Sequence, residues 1–434
     1  MNKNKIFIFE FVSGGGFSQV NIPTSLFCEG FGMLRSLITD FKALDFEIHT
    51  MLDYRICFLS KFIQADNVRK IKKNNNYLKI FKDLVKNTKY VFIIAPETSK
   101  ILYELTKIVK NHDKIILSTN LKGIKYGTSK IITYKIFKKN KVLTPKTYRI
   151  PYKGNLLDKN FILHKFRKLK CPIVIKPEDG VGAESVYYFE KEAQILNFFM
   201  DFNTKLEKKR NYIIQEFIDG RDLSLSLIGS PYLYVNPLVL SVNSQNINIK
   251  NIESEYLGGY TPLENYKELI NKISIFIKKL KILKFEGYFG IDFIEKNKQS
   301  FNFIEINPRL TTSYIGLRKI LNFNCAELIF NSKIKNISEI EIDLHDYSYF
   351  TRIDFNCNNF ENMELIHEEL LPKLMKIIPE FVTPPISLNE YNQYSCFIAT
   401  KTKDLSSSKI RLNEIIQSLE SLNFNVFKPK KSIL

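Results

Sequence analysis

The stretch YFGIDFIEKNKQSFNFIEINPRLTT, residues 288–312, decides how this chain is read. Two apolar runs, 288–294 and 301–307, flank a polar centre, which predicts a β-hairpin turning between Lys298 and Gln299. Glu305 and Asn307 are two apart on one strand, so their side chains point to the same face. With that turn, Asp292 lies directly across from Glu305. Two carboxylates and an amide oxygen then converge, a hard-oxygen set suited to Mg²⁺, with Mn²⁺ able to replace it, shared with the phosphates of a nucleotide. Arg309 follows closely and can hold a carboxylate or a developing phosphoryl charge. The alternative is a solvated hairpin with incidental acids. These acids, however, sit in the most apolar part of their strands, where an unpaired charge is expensive.

Two segments upstream carry compatible chemistry. In PIVIKPEDGVGAESV, residues 172–186, Lys176 ends a buried strand just before a loop holding Gly180 and Gly182. A strand-terminal lysine beside such a loop can neutralise phosphate while backbone N–H groups cradle it, although the GxxxxGK[ST] order is absent. An edge lysine at a glycine turn accounts for it nearly as well. In YIIQEFIDGRDLSLS, residues 212–226, an apolar strand ends at Glu216-Phe217-Ile218 and turns at Asp219-Gly220, with Asp222 opening the next strand. Such a hinge can offer backbone groups to an adenine edge and a carboxylate to ribose, but taken alone a turn with flanking acids is the simpler reading.

Around this centre the chain divides into four expected units. Residues 1–127 alternate short apolar strands (5–11, 90–95, 114–118) with helices (28–41 and from 99), the pattern of an α/β domain with a parallel sheet. A second unit, 128–218, opens with a helix over 130–140 capped by Thr128 or Ser129. It continues with strands near 173–176, 185–189 and 212–217. A third, 219–334, holds further strands, a helix over 264–283 and the hairpin. The last, 335–434, is a small α+β extension with strands at 347–355 and 394–400 and amphipathic helices at 361–378 and 408–422.

Composition excludes more than it identifies. With 434 residues, 44% hydrophobic and 25% charged, the chain is neither disordered, collagen-like nor a small disulfide scaffold. Its six cysteines show no metal-type spacing and are expected to be reduced, mostly buried thiols. The formal charge of +19 would suggest nucleic acid or an anionic membrane. Yet only 11 of 64 basic residues are Arg, and abundant Ile, Asn, Phe and Lys with no Trp run through the whole chain. That bias reads as AT-rich compositional drift, and no nucleic-acid motif accompanies it. Lysine runs such as 70–73 and 205–209 read as solvated faces. No run approaches the ~18 apolar residues of a membrane span, and the N-terminus reads as a buried strand instead of a signal peptide. A cytoplasmic protein with small-molecule partners, no nucleic acid and no membrane is expected; the sequence leaves a homodimer open.

The three elements in this order, with Lys130 in a helix upstream, resemble the ATP-grasp superfamily of carboxylate–amine ligases over roughly residues 90–320. The resemblance implies an N-terminal Rossmann-like pre-ATP-grasp domain followed by the ATP-grasp fold. It also implies that Lys130 and Lys176 hold the ATP phosphates, with Glu216, Phe217 and Ile218 as adenine hinge and Asp222, in place of a more usual Glu, as ribose acid. Asp292, Glu305 and Asn307 then match the magnesium ligands, and Arg309 the arginine that follows the last motif. A narrower resemblance lies in FEFVSGGG, CEGFGMLRSLITDF, APETSKILYELTKIV, YLGGYTP and EINPRLTTSYIGL, which are similar to the tyramine–glutamate ligase family of methanofuran and methylofuran biosynthesis. That family joins the γ-carboxyl of glutamate to tyramine and consumes ATP. Here the chain is longer at its C-terminus. A ligase using another amine or amino acid such as tyrosine, or a non-catalytic ATP-binding module, are the alternatives.

Glycine is scarce, 17 in 434 residues against an average near ~7%. The clusters Gly14, Gly15, Gly16 and Gly258, Gly259 (the latter following Tyr256) are therefore read as substrate-side walls, with tight turns as the competing explanation. Glu29 and Glu97 can orient an incoming amine, or serve simply as helix-N-terminal charges.

Overall fold

The structure, a computed structural model, describes residues 3–180, 185–201, 210–232, 236–250, 253–280, 285–297, 300–335, 337, 340–357, 366–388, 393–422 and 424–426. The three apolar runs near the N-terminus join two more polar strands, Glu47–Asp53 and Asn67–Ile71, in a five-stranded parallel sheet. Its order is Asn67–Ile71, Glu47–Asp53, Lys5–Glu10, Tyr90–Ile94, Ile115–Ile116. Strands buried on both faces need no polar alternation, which is why IFIFE and YVFII read as continuous apolar runs. The chain reverses its winding between Lys5–Glu10 and Tyr90–Ile94, and the carboxyl ends of these two strands open into a crevice.

A six-stranded antiparallel sheet follows, ordered Ile247–Lys250, Glu253–Tyr256, Tyr187–Phe189, Ile173–Pro177, Tyr212–Glu216, Thr147–Arg149. Helices Lys159–Leu169 and Glu192–Asp201 cover it, and together they form a core of their own from residues 150–214. The other sheets share one continuous core with the N-terminal domain. A four-stranded sheet, Leu238–Ser244, Arg221–Gly229, Gly287–Asn297, Ser300–Asn307, contains the expected hairpin. Helix Lys130–Lys139 packs on it through Phe137 and Phe303, and the Ser129 hydroxyl caps that helix by accepting from the Ile132 N–H.

The C-terminal sheet runs Gly258–Thr261, Ser348–Cys357, Gln393–Ala399, Phe381–Ile386, with Phe424–Val426 beside Ser348–Cys357. Two boundaries expected from sequence are thus crossed by sheets. Strands Ile247–Lys250 and Glu253–Tyr256 return to the six-stranded sheet, and Gly258–Thr261 pairs with Ser348–Thr351 of the supposed extension. The extension is anchored to the N-terminal helix Thr24–Lys42 as well. Arg35 donates to the carbonyls of Phe381 and Val382, and Thr383 donates to that of Cys28. Strand Phe381–Ile386 escapes sequence reading because FVTPPI carries two prolines, which confine it to a sheet edge. Of the helix expected over 361–378, the described part is a wide turn, Ile366–Leu370, and a short helix, Leu371–Ile377. Among the described residues no helix is long and apolar enough to cross a membrane.

Candidate active site

The hairpin pairs Asp292 with Glu305, and a register shift puts Phe293 opposite Phe303, so Ile304 is the extra residue of a bulge. Asp292, Glu305 and Asn307 all line one cleft of about 490 Å³. The Asn307 amide donates to Asp292 Oδ2 at 2.9 Å, and Gln245, just past the end of strand Leu238–Ser244, donates to Oδ1 at 3.2 Å. Burial, then the facing Glu305 charge, pushes Asp292 up to about 7. Burial would raise Glu305 too, but Lys130 and Lys176 hold it below its ordinary value. Glu305 Oε2 is buried and lies 3.0 Å from the Lys130 ammonium without accepting a well-aligned hydrogen bond. Two buried carboxylates and an amide fit a hard divalent cation that keeps positions for phosphate oxygens. Among the described residues no three His, Cys, Asp or Glu side chains converge on a metal position by themselves.

Lys176 enters the same cleft from the end of Ile173–Pro177 and is 8% exposed; burial brings its ammonium down to about 8. Lys130 donates to the Gly180 carbonyl at 2.7 Å, which ties the glycine loop to the helix start. Gly182 lies outside the described residues. Glu216, Phe217, Ile218 and Asp222 line the cleft beside Val174, Val186 and Ile304. The Phe217 N–H is already taken by the Pro172 carbonyl at 2.9 Å, so a ligand edge has to use the backbone on either side of it. Burial raises Asp222 to about 6 against the pull of Lys176.

Beyond the hairpin the cleft turns towards the N-terminal sheet. Arg309 donates through Nε to both carboxylate oxygens of Glu97, at 3.0 and 3.1 Å, and both side chains are buried. Burial would lower the guanidinium, but Glu97, Glu29 and Asp292 raise it above its ordinary value. Glu97 is therefore the counter-ion of Arg309 and makes no helix-capping bond. Glu29 lines the cleft from within helix Thr24–Lys42, where the Thr312 hydroxyl donates to it at 2.7 Å.

The glycine clusters do not form the cleft wall. A side chain on Gly14, Gly15 or Gly16 would meet Phe9, Ile71 or Phe11, and none of the three glycines lines the cleft. They let the chain turn tightly over its own aromatic core, with Gly15 at φ +94°. At Gly258 and Gly259 a Cβ would lie 2.1 Å from the carbonyls of Phe350 and Ser244, so these glycines permit two strands to pack closely. Of that segment, Tyr256 does line the cleft. At both clusters the glycines approach protein groups closely.

Three cleft groups went unread in the sequence. Glu10, 2% exposed, accepts from the N–H groups of Val12 (2.9 Å) and Ser13 (2.6 Å), and burial pushes it up to about 7. In the sequence it falls within the apolar run 5–11 and carries no motif. Gln245 carried no motif. Arg352 arrives from the C-terminal sheet, and only the fold brings it here.

Comparison with known proteins places this geometry in a group. A model of the ATP-grasp domain matches residues 128–313, and one of the pre ATP-grasp 3 domain matches residues 46–124. The chain is 32% identical to the tyramine–L-glutamate ligase of Methanocaldococcus jannaschii over 345 residues, 78% of this chain and 90% of that protein. It is 30% identical to the enzyme of the same name from Methanocaldococcus fervens, over 77% of this chain and 99% of that one. Among solved structures, biotin carboxylase from Campylobacter jejuni superposes with a TM-score of 0.66 at 14% identity, covering 98% of this chain and 92% of that chain. That last likeness concerns the fold alone.

Proposed function

Since the chain belongs to the ATP-grasp superfamily of carboxylate–amine ligases and is similar to its tyramine–glutamate ligases, we propose that it joins the γ-carboxyl of L-glutamate to tyramine with release of ADP and phosphate. The observation that carries this reading is a single cleft. It holds Lys130, Lys176, the Asp292/Glu305/Asn307 set and Arg309 together. Adenine lies against Val174, Val186 and Ile304, with Glu216 and Ile218 offering backbone groups and Asp222 a ribose partner. Lys130 leaves Glu305 for the phosphates, where Lys176 joins it. Asp292, Glu305 and Asn307 would hold magnesium, which supplies charge neutralisation for phosphate oxygens when bound.

The chemistry needs positioning and electrostatics more than a protein nucleophile. An oxygen of the substrate carboxylate attacks the γ-phosphorus, and the bond to the β,γ-bridging oxygen breaks, leaving ADP. Arg309 faces the acyl phosphate and offsets its charge. The uncharged amine then attacks the acyl carbon, the carbon–oxygen bond to phosphate breaks, and the amide is left. Val12, Phe17, Pro23, Leu26 and Met33 supply an apolar wall suited to an aryl-ethyl body, and Glu10 at that wall is the carboxylate that meets the amine and takes its proton.

Phosphate release, measured with ATP, magnesium and glutamate against tyramine, tyrosine, phenethylamine and ammonia, tests the assignment. Selective turnover with tyramine is expected. Equal turnover with tyrosine would move the reading to an amino-acid-accepting ligase, and no turnover with any amine would remove it.

A further inference from the structure

Strand Ser348–Cys357 of the C-terminal sheet, outside the matched ATP-grasp segment, sends one cation into the cleft. Arg352 on strand Ser348–Cys357 is a tenth exposed and lines the same cavity as Arg309, Glu29 and Tyr256. Its orientation is fixed twice. Nε donates to both oxygens of Asp354 at 3.0 Å, and Asp354 is itself held by the Ser395 hydroxyl at 2.6 Å. One terminal nitrogen, Nη2, donates to Glu255. The other, Nη1, has no partner among the described residues. A guanidinium locked on two edges, on a residue that lines the cavity, is preorganised to receive a carboxylate oxygen on its remaining nitrogen. Glu29 is within electrostatic reach of both arginines, and among the described residues only Thr312 donates to it.

We infer that Arg352 and Glu29 form the site for the α-carboxylate and α-ammonium of the acid substrate, so that only its side-chain carboxyl reaches Arg309 and the phosphate. This rests on the ligase reading above and deepens it. The enzyme would take an α-amino acid held by both α-groups and activate it at the far end. The C-terminal sheet would then complete the active site, which explains why it shares a core with the N-terminal domain. An acid bound the other way round would put its α-carboxyl at the phosphate and leave Arg352 and Glu29 facing a chain with no ammonium beside them. That arrangement strands buried polar groups, and discrimination follows from the mismatch.

Two truncated acids separate the roles: 4-aminobutyrate is glutamate without the α-carboxylate, and glutarate is glutamate without the α-ammonium. The experiment measures KM for glutamate and the competitive Ki of each truncated acid, with tyramine and ATP present, for the wild-type protein and for Arg352→Met, Arg352→Lys and Glu29→Gln. Arg352→Met should raise the glutamate KM and the glutarate Ki about 10- to 100-fold and leave the 4-aminobutyrate Ki and the ATP KM within about 2-fold. Arg352→Lys, which keeps the charge and loses the fork, should fall between; it also serves if the methionine variant fails to fold. Glu29→Gln should weaken glutamate and 4-aminobutyrate and spare glutarate. If all three acids weaken together in the arginine variants, Arg352 only supports the sheet and the inference is overturned. An unchanged glutamate KM overturns it equally. Absence of glutamate turnover by the wild-type protein removes the ligase reading itself, and this inference with it.

Discussion

Replacing Glu97 by Gln tests how Arg309 is held. The pair is buried on both sides, with Glu97 5% and Arg309 11% exposed, and two contacts of 3.0 and 3.1 Å join them. Gln keeps the shape and one acceptor but removes the charge. Losing one partner of a buried ion pair costs about 3–5 kcal/mol, because the remaining charge is left in a poorly solvated place. Glu29 and Asp292 still face Arg309, which puts the expected loss near the lower end, about 3 kcal/mol. Urea unfolding should show that loss as a lower midpoint at an unchanged slope. Kinetically, the guanidinium would turn towards Glu29 and Asp292. The turnover number should then fall about 10- to 100-fold, as for loss of a charge-stabilising donor, while the ATP KM stays constant because Glu97 does not touch the nucleotide end. A Glu97→Gln protein with wild-type stability and wild-type turnover would refute the claim that this pair positions Arg309.

Other outcomes follow from the same geometry. Glu305→Gln should abolish phosphate release and sharply weaken magnesium-dependent nucleotide binding while the far-UV circular dichroism stays unchanged; retained turnover would sink the metal assignment. Glu10, raised to about 7, is protonated below that pH, so turnover per tyramine should decline from neutrality downward, and Glu10→Gln should lose that limb of the profile. The same shift has a stability sign. Because the folded pKa lies above the unfolded one, stability from this group is full below about 4.5 and is lost as pH rises through about 7, so Glu10→Gln should flatten that decline in a denaturation series. Gly258→Ala would place a methyl 2.1 Å from the Phe350 carbonyl at φ +107°, and should destabilise the fold by at least about 2 kcal/mol with unchanged substrate KM. A changed KM at wild-type stability would return Gly258 to the substrate wall.

Much of the centre was legible because period-two alternation carries its own geometry. Asp292 and Glu305 are paired as the turn position required, and Asn307 shares their face. Three strands of the parallel sheet were legible as continuous apolar runs, whereas Glu47–Asp53 and Asn67–Ile71 carry polar residues that hide them. What stayed hidden depends on contacts between distant segments. Gly14, Gly15 and Gly16 announce a tight backbone, but only the fold shows that Phe9, Phe11 and Ile71 fill the space beside them. Glu10 looks like one more residue of a buried strand until the Val12 and Ser13 N–H groups are seen to hold it at the cleft. Glu97, read as a helix charge or an amine partner, turned out to be bound to an arginine 212 residues away. Arg352 carries no motif, and its strand pairs with residues 258–261 and 393–399 before it can face the site.

Mass spectrometry of the product formed from ATP, magnesium, L-glutamate and tyramine tests the central claim most directly. The account predicts a single adduct equal to glutamate plus tyramine less one water, fragmenting as the γ-amide, formed together with ADP and phosphate in equal amounts. An α-amide, an adenylylated or AMP-forming reaction, or no adduct at all would contradict it.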